Sequence, residues 1–249
     1  MGNYRNWPLR RYCIILVNIK RFFRFFLDYI FPRYCSICGK FLSANSEYLY
    51  LCENCADRFS FLEKNTCSIC GNILPQEISS NLSICPQCQK CPPVFLSARS
   101  AVFFDPSSKK IIYEFKYHQG DFLGRDIAKL ALCNDEFKKL ITEAALVPVP
   151  LHWRRKFFRG YNQSEVFANE LCKLNIHSKV LPLLTRIRYT KPQVSLAAEQ
   201  RQNNVNRAFQ FNKKYTSLDR NLKIVIIDDV FTTGSTLSQC AVALKENGF

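Results

Sequence analysis

The chain has 249 residues, 47% of them hydrophobic and 22% charged, and a formal net charge of +15. That length holds one large or two small domains, and the apolar share is enough for a packed core. The charge is uneven: residues 1–33 carry seven Lys/Arg against one Asp, residues 34–150 carry twelve of each sign, and residues 151–214 carry thirteen Lys/Arg against three Glu. A basic block of this kind suits a polyanionic small molecule and a nucleic acid equally, so charge alone does not choose between them.

The first segment, "YCIILVNIKRFFRFFLDYIF", is apolar but interrupted by Lys20, Arg21, Arg24 and Asp28. Its longest uncharged run is eight residues, 12–19, too short to cross a bilayer. No small-residue cleavage site follows, which argues against an export signal. At helical spacing Leu16, Ile19, Phe22, Phe23, Phe26 and Ile30 share one face and the charges share the other. Residues 1–31 therefore read as an amphipathic basic helix that either packs on the next module or lies on a membrane surface.

Thirteen cysteines follow an ordered pattern. Eight fall in four Cys-x-x-Cys pairs: Cys35 and Cys38, Cys52 and Cys55, Cys67 and Cys70, Cys85 and Cys88. "CSICGKFL" recurs as "CSICGNIL" 32 residues later, and each copy is followed by a second pair after 13 or 14 residues. A Cys-x-x-Cys turn closed by Gly presents two thiolates together, and two such turns complete a tetrahedral zinc site. Residues 32–93 thus read as a double zinc ribbon. Disulfides would need an oxidising compartment, and Cys91 offers a competing pair with Cys88. Cys13, Cys133, Cys172 and Cys240 read as small core residues.

Beyond residue 94 the pattern is α/β. "ARSAVFF" (98–104) reads as a strand and Asp105-Pro106 as a turn. Helical periodicity runs over 107–117, and a longer helix over 121–140. "AALVPVP" (144–150) is a buried strand. It is followed by Arg154, Arg155, Lys156 and Arg159, and then by a helix from about Asn162. Basic side chains just past a strand end can wall a pyrophosphate site or simply face water. His118, His152 and His177 stand alone and carry no ligand role. The polar segment 183–211 is long for an ordinary connection and reads as a lid or an insertion.

The final block, "KIVIIDDVFTTGSTLSQCAVALKENG", places four β-branched residues before Asp228 and Asp229. A small-residue turn and a helix over 236–247, stopped by Gly248, follow. Main-chain N–H groups in such a turn, at a helix start, favour a phosphate. Carboxylates at a strand end accept hydrogen bonds from sugar hydroxyls, directly or through Mg²⁺. A ribose 5-phosphate satisfies both halves. "VIIDDVFTTGST" resembles the phosphoribosyl pyrophosphate (PRPP) signature of type I phosphoribosyltransferases, with Phe231 where a smaller aliphatic residue is usual. The resemblance implies that Asp228 and Asp229 are catalytic and hold the ribose. It implies that Thr232, Thr233, Gly234, Ser235 and Thr236 hold the 5-phosphate, with Mg²⁺ accompanying PRPP.

Read in order, the cysteine repeat, "EFKYHQG", "VPVPLHWRRKFFRGYNQSE", "TRIRYTKPQVSLAAEQRQNNVNRAF" and "VIIDDVFTTGSTL" resemble the ComF family of competence-associated proteins. The likeness runs from about residue 31 to the end. It implies a parallel-sheet, type I phosphoribosyltransferase-like domain over 94–249 behind the ribbon, with structural Zn²⁺ in the ribbon. It also implies a link to DNA uptake in natural transformation, on the cytoplasmic face of the membrane. Lys116, Arg154, Arg159, Gly160, Asn162, Gln163, Arg186, Thr190, Gln193, Arg201 and Asn204 fall on family-typical positions. Lys116, Arg154, Arg155 and Arg159 are the expected pyrophosphate or DNA cluster. The family pattern would add a short strand after Phe249, so the expectation is a truncated chain or a sheet with one edge fewer. Two readings stand: a phosphoribosyltransferase binding PRPP or a phosphorylated nucleotide, and a non-catalytic protein handling single-stranded DNA on the same fold.

Overall fold

The computed structural model describes residues 32–43, 45–61, 65–74, 83–117, 119–174, 177–188 and 208–249. The helix expected over 1–31, and Cys13, His118, Thr190, Gln193, Arg201 and Asn204, lie outside the described residues. The chain divides into two compact units, one ending at Ala56 and one running from Asp57 to Phe249.

The sequence repeat is also a structural repeat. In the first unit Gly39 N donates to Cys35 O at 2.8 Å, and Cys55 lies on α1 (Glu53–Ala56). In the second unit Gly71 N donates to Cys67 O at 2.9 Å, and Cys88 lies on α2 (Pro86–Lys90). Gly39 and Gly71 share a φ of +72°, a left-handed turn that only glycine adopts without cost. Each turn is framed by one bridge, Tyr34 with Phe41 and Thr66 with Ile73.

The rest of the second unit is α/β. Helix α3 (Pro106–Lys116) opens on a capping box. Asp105 accepts from Ser108 N, and Ser108 Oγ accepts from Asp105 N, both at 2.8 Å. The helix expected over 121–140 is split into a 3₁₀ turn at Gly120–Leu123, then α4 (Gly124–Leu132) and α5 (Asp135–Ile141). Asn134 makes the break: its Oδ1 accepts from Phe137 N at 2.9 Å, capping α5, and its Nδ2 donates to Ala101 O at 3.1 Å. Cys133, at the end of α4, is exposed rather than part of the core. Cys240 is fully buried, as expected.

Strand β1 (Ala145–Pro148) is buried along its whole length. The basic run after it is a short helix, α6 (Trp153–Arg159), ended by Gly160 at φ +84°. Then come α7 (Gln163–Lys173), β2 (Lys179–Val180), β3 (Leu184–Arg186), β4 (Phe209–Phe211), β5 (Ile224–Ile227) and α8 (Ser235–Lys245). Strands β2, β1 and β5 form a parallel sheet in that order, with Ala145 opposite both Lys179 and Ile224. β3 and β4 pair antiparallel, Arg186 opposite Phe209. Val147 and Val149 pack with Leu184, Phe209, Phe211 and Leu244, so the hairpin and α8 cover one sheet face. Side chains alternate along a strand, which turns Leu146 to the other face, where α7 packs on β1 and α4 packs on α7. Helix α8 ends as expected at Gly248. Phe249 N donates to Leu244 O and Gly248 N to Lys245 O, a Schellman closure.

One expected strand does not form. Residues 98–104 are irregular, with a single bridge from Val102 to Phe61. Their main-chain groups are satisfied separately: Ala98 N donates to Ile69 O at 2.6 Å, and Phe103 N to Ser60 O at 2.8 Å. The apolar run is therefore held by the ribbon and by Asn134, not by a sheet ladder.

Replacing Asn134 with Ala removes a helix cap and a tie to Ala101 together. The variant is expected to lose about 1–2 kcal/mol of stability in thermal or urea unfolding.

Candidate functional site

The site lies where the strand order reverses, between the C-terminal ends of β1 and β5, the place where open α/β sheets bind ligands. Asp228 and Asp229 follow β5 directly. The turn before α7 supplies their partners. Asn162 caps that helix, accepting from Ser164 N at 3.2 Å, and its Nδ2 donates to Val149 O at 3.0 Å, which pins the helix start to β1. Ser164 Oγ then donates to Asp228 Oδ1 at 3.2 Å, and Gln163 Nε2 to Asp229 Oδ2 at 2.8 Å. Lys116, the last residue of α3, places Nζ 3.1 Å from Asp229 Oδ1. The end of α3 is held in turn by Tyr161, whose hydroxyl donates to Phe115 O.

Burial above all, and the Asp229 carboxylate next, push Asp228 from the usual carboxylate range up to about 7. The backbone N–H of Asp229, at 2.9 Å, the Lys116 ammonium and the Ser164 hydroxyl pull the other way. Gln163 Oε1 is buried and accepts no hydrogen bond among the described residues, so the pocket offers an unused acceptor beside the acid pair.

The residues expected to hold a phosphate follow at once. Gly234 takes φ +72° and caps α8, and Thr233 Oγ1 donates to Ser235 Oγ at 3.2 Å. Thr232, Thr233, Gly234, Ser235 and Thr236 thus form the turn at the positive end of an eleven-residue helix. A cavity of about 1090 Å³ runs beside the site, lined by β5, by Asp228 to Phe231 and by Gly71, Asn72 and Ile73 of the second cysteine turn.

The basic cluster divides. Lys116 joins the acid pair. Arg155 and Arg186 both act on His152, whose pKa is lowered by burial first and then by Arg154, Arg186 and Arg155. Burial most, then Arg155, lowers the Arg186 guanidinium, against the attraction of Cys240 and Asp228. Arg154 lies over the Trp153 ring and Arg159 over Tyr117, each 5.3 Å from the ring centroid. His152 is a structural residue: it is buried and caps α6, accepting from Arg154 N at 3.3 Å. Ser164 and the contacts of Gln163 and Arg186 were not assigned from sequence. The pattern Asn162-x-x-Glu165 marks a helix start, but only the fold aims that start at β5.

The cysteines form two groups, Cys35, Cys38, Cys52 and Cys55, and Cys67, Cys70, Cys85 and Cys88. Within each, all four sulfurs lie within 4.8 Å of one another. Cys38–Cys52 and Cys70–Cys85 are 3.7 Å apart, close to the edge of about 3.8 Å that four Zn–S bonds of about 2.3 Å impose on a tetrahedron. Cys91 is exposed and outside both groups. Burial raises the Cys67 thiol, but backbone N–H groups of Cys70, Cys85 and Ile69 outweigh it and bring the thiol down to about 6. The backbone at Lys40 brings Cys38 down to about 7. These two shifts favour the thiolate form that zinc requires, whereas burial raises Cys52, Cys55, Cys70 and Cys88, so the case for zinc rests on the sulfur geometry. The two groups fit structural zinc.

Residues 26–91 match the family described as "Double zinc ribbon domain". The chain is 28% identical over 216 residues to the "DNA utilization protein YhgH" of Salmonella typhi, covering 80% of this chain and 92% of that protein. It is 26% identical over 218 residues to "Competence protein F" of Haemophilus influenzae, covering 86% and 85%. It is also 26% identical over 206 residues to "Competence protein ComFC" of Bacillus subtilis, covering 80% and 79%. The chain resembles the ComF family in its ribbon and over most of its length. Matches over 80% or more of the chain are far longer than the ribbon, so the likeness is not confined to the cysteines. Among the described residues no helix is long and apolar enough to cross a membrane.

The raised Asp228 carboxyl has a consequence for stability. A group whose folded pKa lies above its unfolded value stabilises the fold below the unfolded pKa, and that contribution is lost as pH rises through the folded pKa. With values near 3.8 and about 7, stability is expected to fall between pH 4 and 7. Asp228→Asn should flatten that part of the profile in urea titrations at stepped pH.

Proposed function

We propose that this protein binds PRPP with Mg²⁺ at the β1–β5 crevice and transfers or recognises phosphoribosyl groups, within a role in DNA uptake. The observation that carries this reading is one continuous arrangement. Two carboxylates at the end of β5 are held by α7 and Lys116, and a glycine turn opens α8 directly after them. Asp228 and Asp229 accept hydrogen bonds from the ribose hydroxyls, and Gln163 Oε1 is a further acceptor for one of them. Thr232, Thr233, Gly234, Ser235 and Thr236 cradle the 5-phosphate with main-chain N–H groups and hydroxyls at the α8 terminus. Lys116, paired with Asp229, is the member of the basic cluster that stands at the acid pair, on the side we assign to pyrophosphate. The carboxylate oxygens suit a hard cation, and bound Mg²⁺ would neutralise pyrophosphate charge. In transfer, the bond from the anomeric carbon to pyrophosphate oxygen breaks as a bond to an incoming nitrogen forms. Pyrophosphate leaves with the electron pair and the nucleophile sheds a proton. The chain's contribution is positioning and charge stabilisation.

The family supports the setting. Relatives are named for competence and for DNA utilization, and for this chain we take that as handling incoming DNA on the cytoplasmic side. Contact with the membrane surface through residues 1–31 belongs to the same proposal.

A specific observation also favours a second reading, single-stranded DNA binding. Helix α6 buries none of its residues, and Trp153, Phe157 and Phe158 are 66%, 81% and 87% exposed beside Arg154, Lys156 and Arg159. Rings interleaved with cations stack bases and pair phosphates.

Calorimetric titration of the zinc-loaded protein with PRPP and Mg²⁺ tests the first reading. Binding is expected with a dissociation constant on the order of micromolar, weakened at least about tenfold in the double Asp228→Asn, Asp229→Asn variant. No binding by the folded wild type would reject it. For the second, the affinity for a labelled single-stranded oligonucleotide should fall with salt at a log–log slope of about −0.7 per phosphate contacted. Phe157→Ala with Phe158→Ala should weaken it by about 1–3 kcal/mol per base unstacked. Unchanged affinity in that pair would remove α6 from the interface.

A further inference from the structure

Phe231 lies inside the phosphate-binding motif, between the acid pair and the glycine turn, at a position where a smaller aliphatic residue is usual. Its ring does two things at once. Its edge, Cε2 and Cζ, lies 3.0 Å from where a Cβ on Gly234 would be, so the ring covers the turn. The same side chain packs against the buried cluster formed by Cys67, Cys70, Leu74, Cys85 and Cys88. The phosphate turn therefore rests on the second cysteine group through one aromatic side chain. Phe95 adds a second point of support, its Cζ 3.5 Å from the same Cβ position on Gly234.

The cysteine turn is in turn stitched to that support. Ala98 N donates to Ile69 O at 2.6 Å, and Arg99 Nη1 donates to Ser68 O at 3.1 Å. A Cβ on Gly71 would come within 2.7 Å of Ala98 O, so backbone meets backbone there with no slack. Phe95, Asp229, Phe231 and Gly71 line one cavity, and all of these residues belong to the same compact unit.

We infer that Phe231 is a positioning residue that couples the second four-cysteine site to the phosphate turn, so that metal binding there and phosphoribosyl-ligand binding strengthen each other. The inference rests on the PRPP reading of the site. The physical reason is packing. Four thiolates gathered on a metal hold the cluster in one arrangement, and the ring seated on that cluster fixes where the turn's N–H groups point. Without the metal the thiolates repel, the seat loosens, and the turn loses one wall. Linkage makes the affinities reciprocal, and a ligand that holds the turn also holds the ring on the cluster, which hinders the opening through which the metal leaves the second site but not the first.

The test follows zinc release from the full-length, zinc-loaded protein into excess chromophoric chelator, with and without saturating PRPP and Mg²⁺. Cys38→Ser, which breaks the first group, identifies the phase that belongs to the second. PRPP is expected to slow that phase at least about fivefold and leave the other unchanged. Phe231→Ala should speed the second-site phase in the absence of ligand and abolish its response to PRPP. Phe231→Leu, a milder cut, should move the same phase in the same direction by a smaller factor, and it serves if the alanine variant does not fold. A wild type that binds PRPP but releases both ions at unchanged rates would overturn the coupling and leave the PRPP site standing. Ligand-free release from both Phe231 variants at the wild-type rate would overturn it as well. A wild type that does not bind PRPP in calorimetry would overturn the function and the coupling together.

Discussion

Two carboxylates at consecutive positions on a strand end repel each other and lose hydration as the fold closes around them. They stay together only where donors surround them. Here three elements meet for that purpose. The first turn of α7 brings Gln163 and Ser164, the last residue of α3 brings Lys116, and Asp229 N closes back on Asp228. The two helices have their own anchors. Asn162 ties α7 to β1, Tyr161 ties the end of α3 to the turn before α7, and Asp105 with Ser108 fixes where α3 begins. The helices around the sheet are placed so that their ends converge on the acid pair.

The same economy governs the cysteine repeat. A ribbon of this length has few apolar side chains to bury, and the buried cluster of its second half is four cysteines and Leu74. Metal ligation supplies the cohesion that a small core cannot. The second group does not stand apart from the α/β region. It shares a compact unit with it, accepts hydrogen bonds from Ala98 N and from the Arg99 side chain, and supports the turn after β5. The segment 98–104 illustrates the exchange. It has the composition of a strand, yet its hydrogen bonds go to the ribbon, to Ser60 and to Asn134.

The aromatic and basic residues of α6 have a different character. Among the described residues none of them is fully buried. Arg154 and Arg159 lie over rings rather than over carboxylates, while Lys116 is paired inside the site. The basic residues expected to act together are thus divided, Lys116 at the acid pair and Arg154 and Arg159 on α6.

Much of this was legible in the residues. Four β-branched residues before Asp228 and Asp229 could be little other than a buried strand, and Gly234 and Gly248 mark the start and stop of α8 by the left-handed turns they permit. The cysteine spacing and its Gly-closed repeat determined two metal sites, because two thiols on one tight turn are a local matter. Tertiary structure decided the rest. That Gln163 and Ser164 serve the acid pair depends on where α7 begins relative to β5, 64 or more positions away in sequence. That 98–104 is not a strand depends on its main-chain groups pairing with Ile69, Ser60 and Asn134 instead of with a ladder. That Phe231 bears on the second cysteine group could not be read from either motif alone. Local sequence sets which groups are presented and at what spacing, whereas long-range packing sets which of them meet.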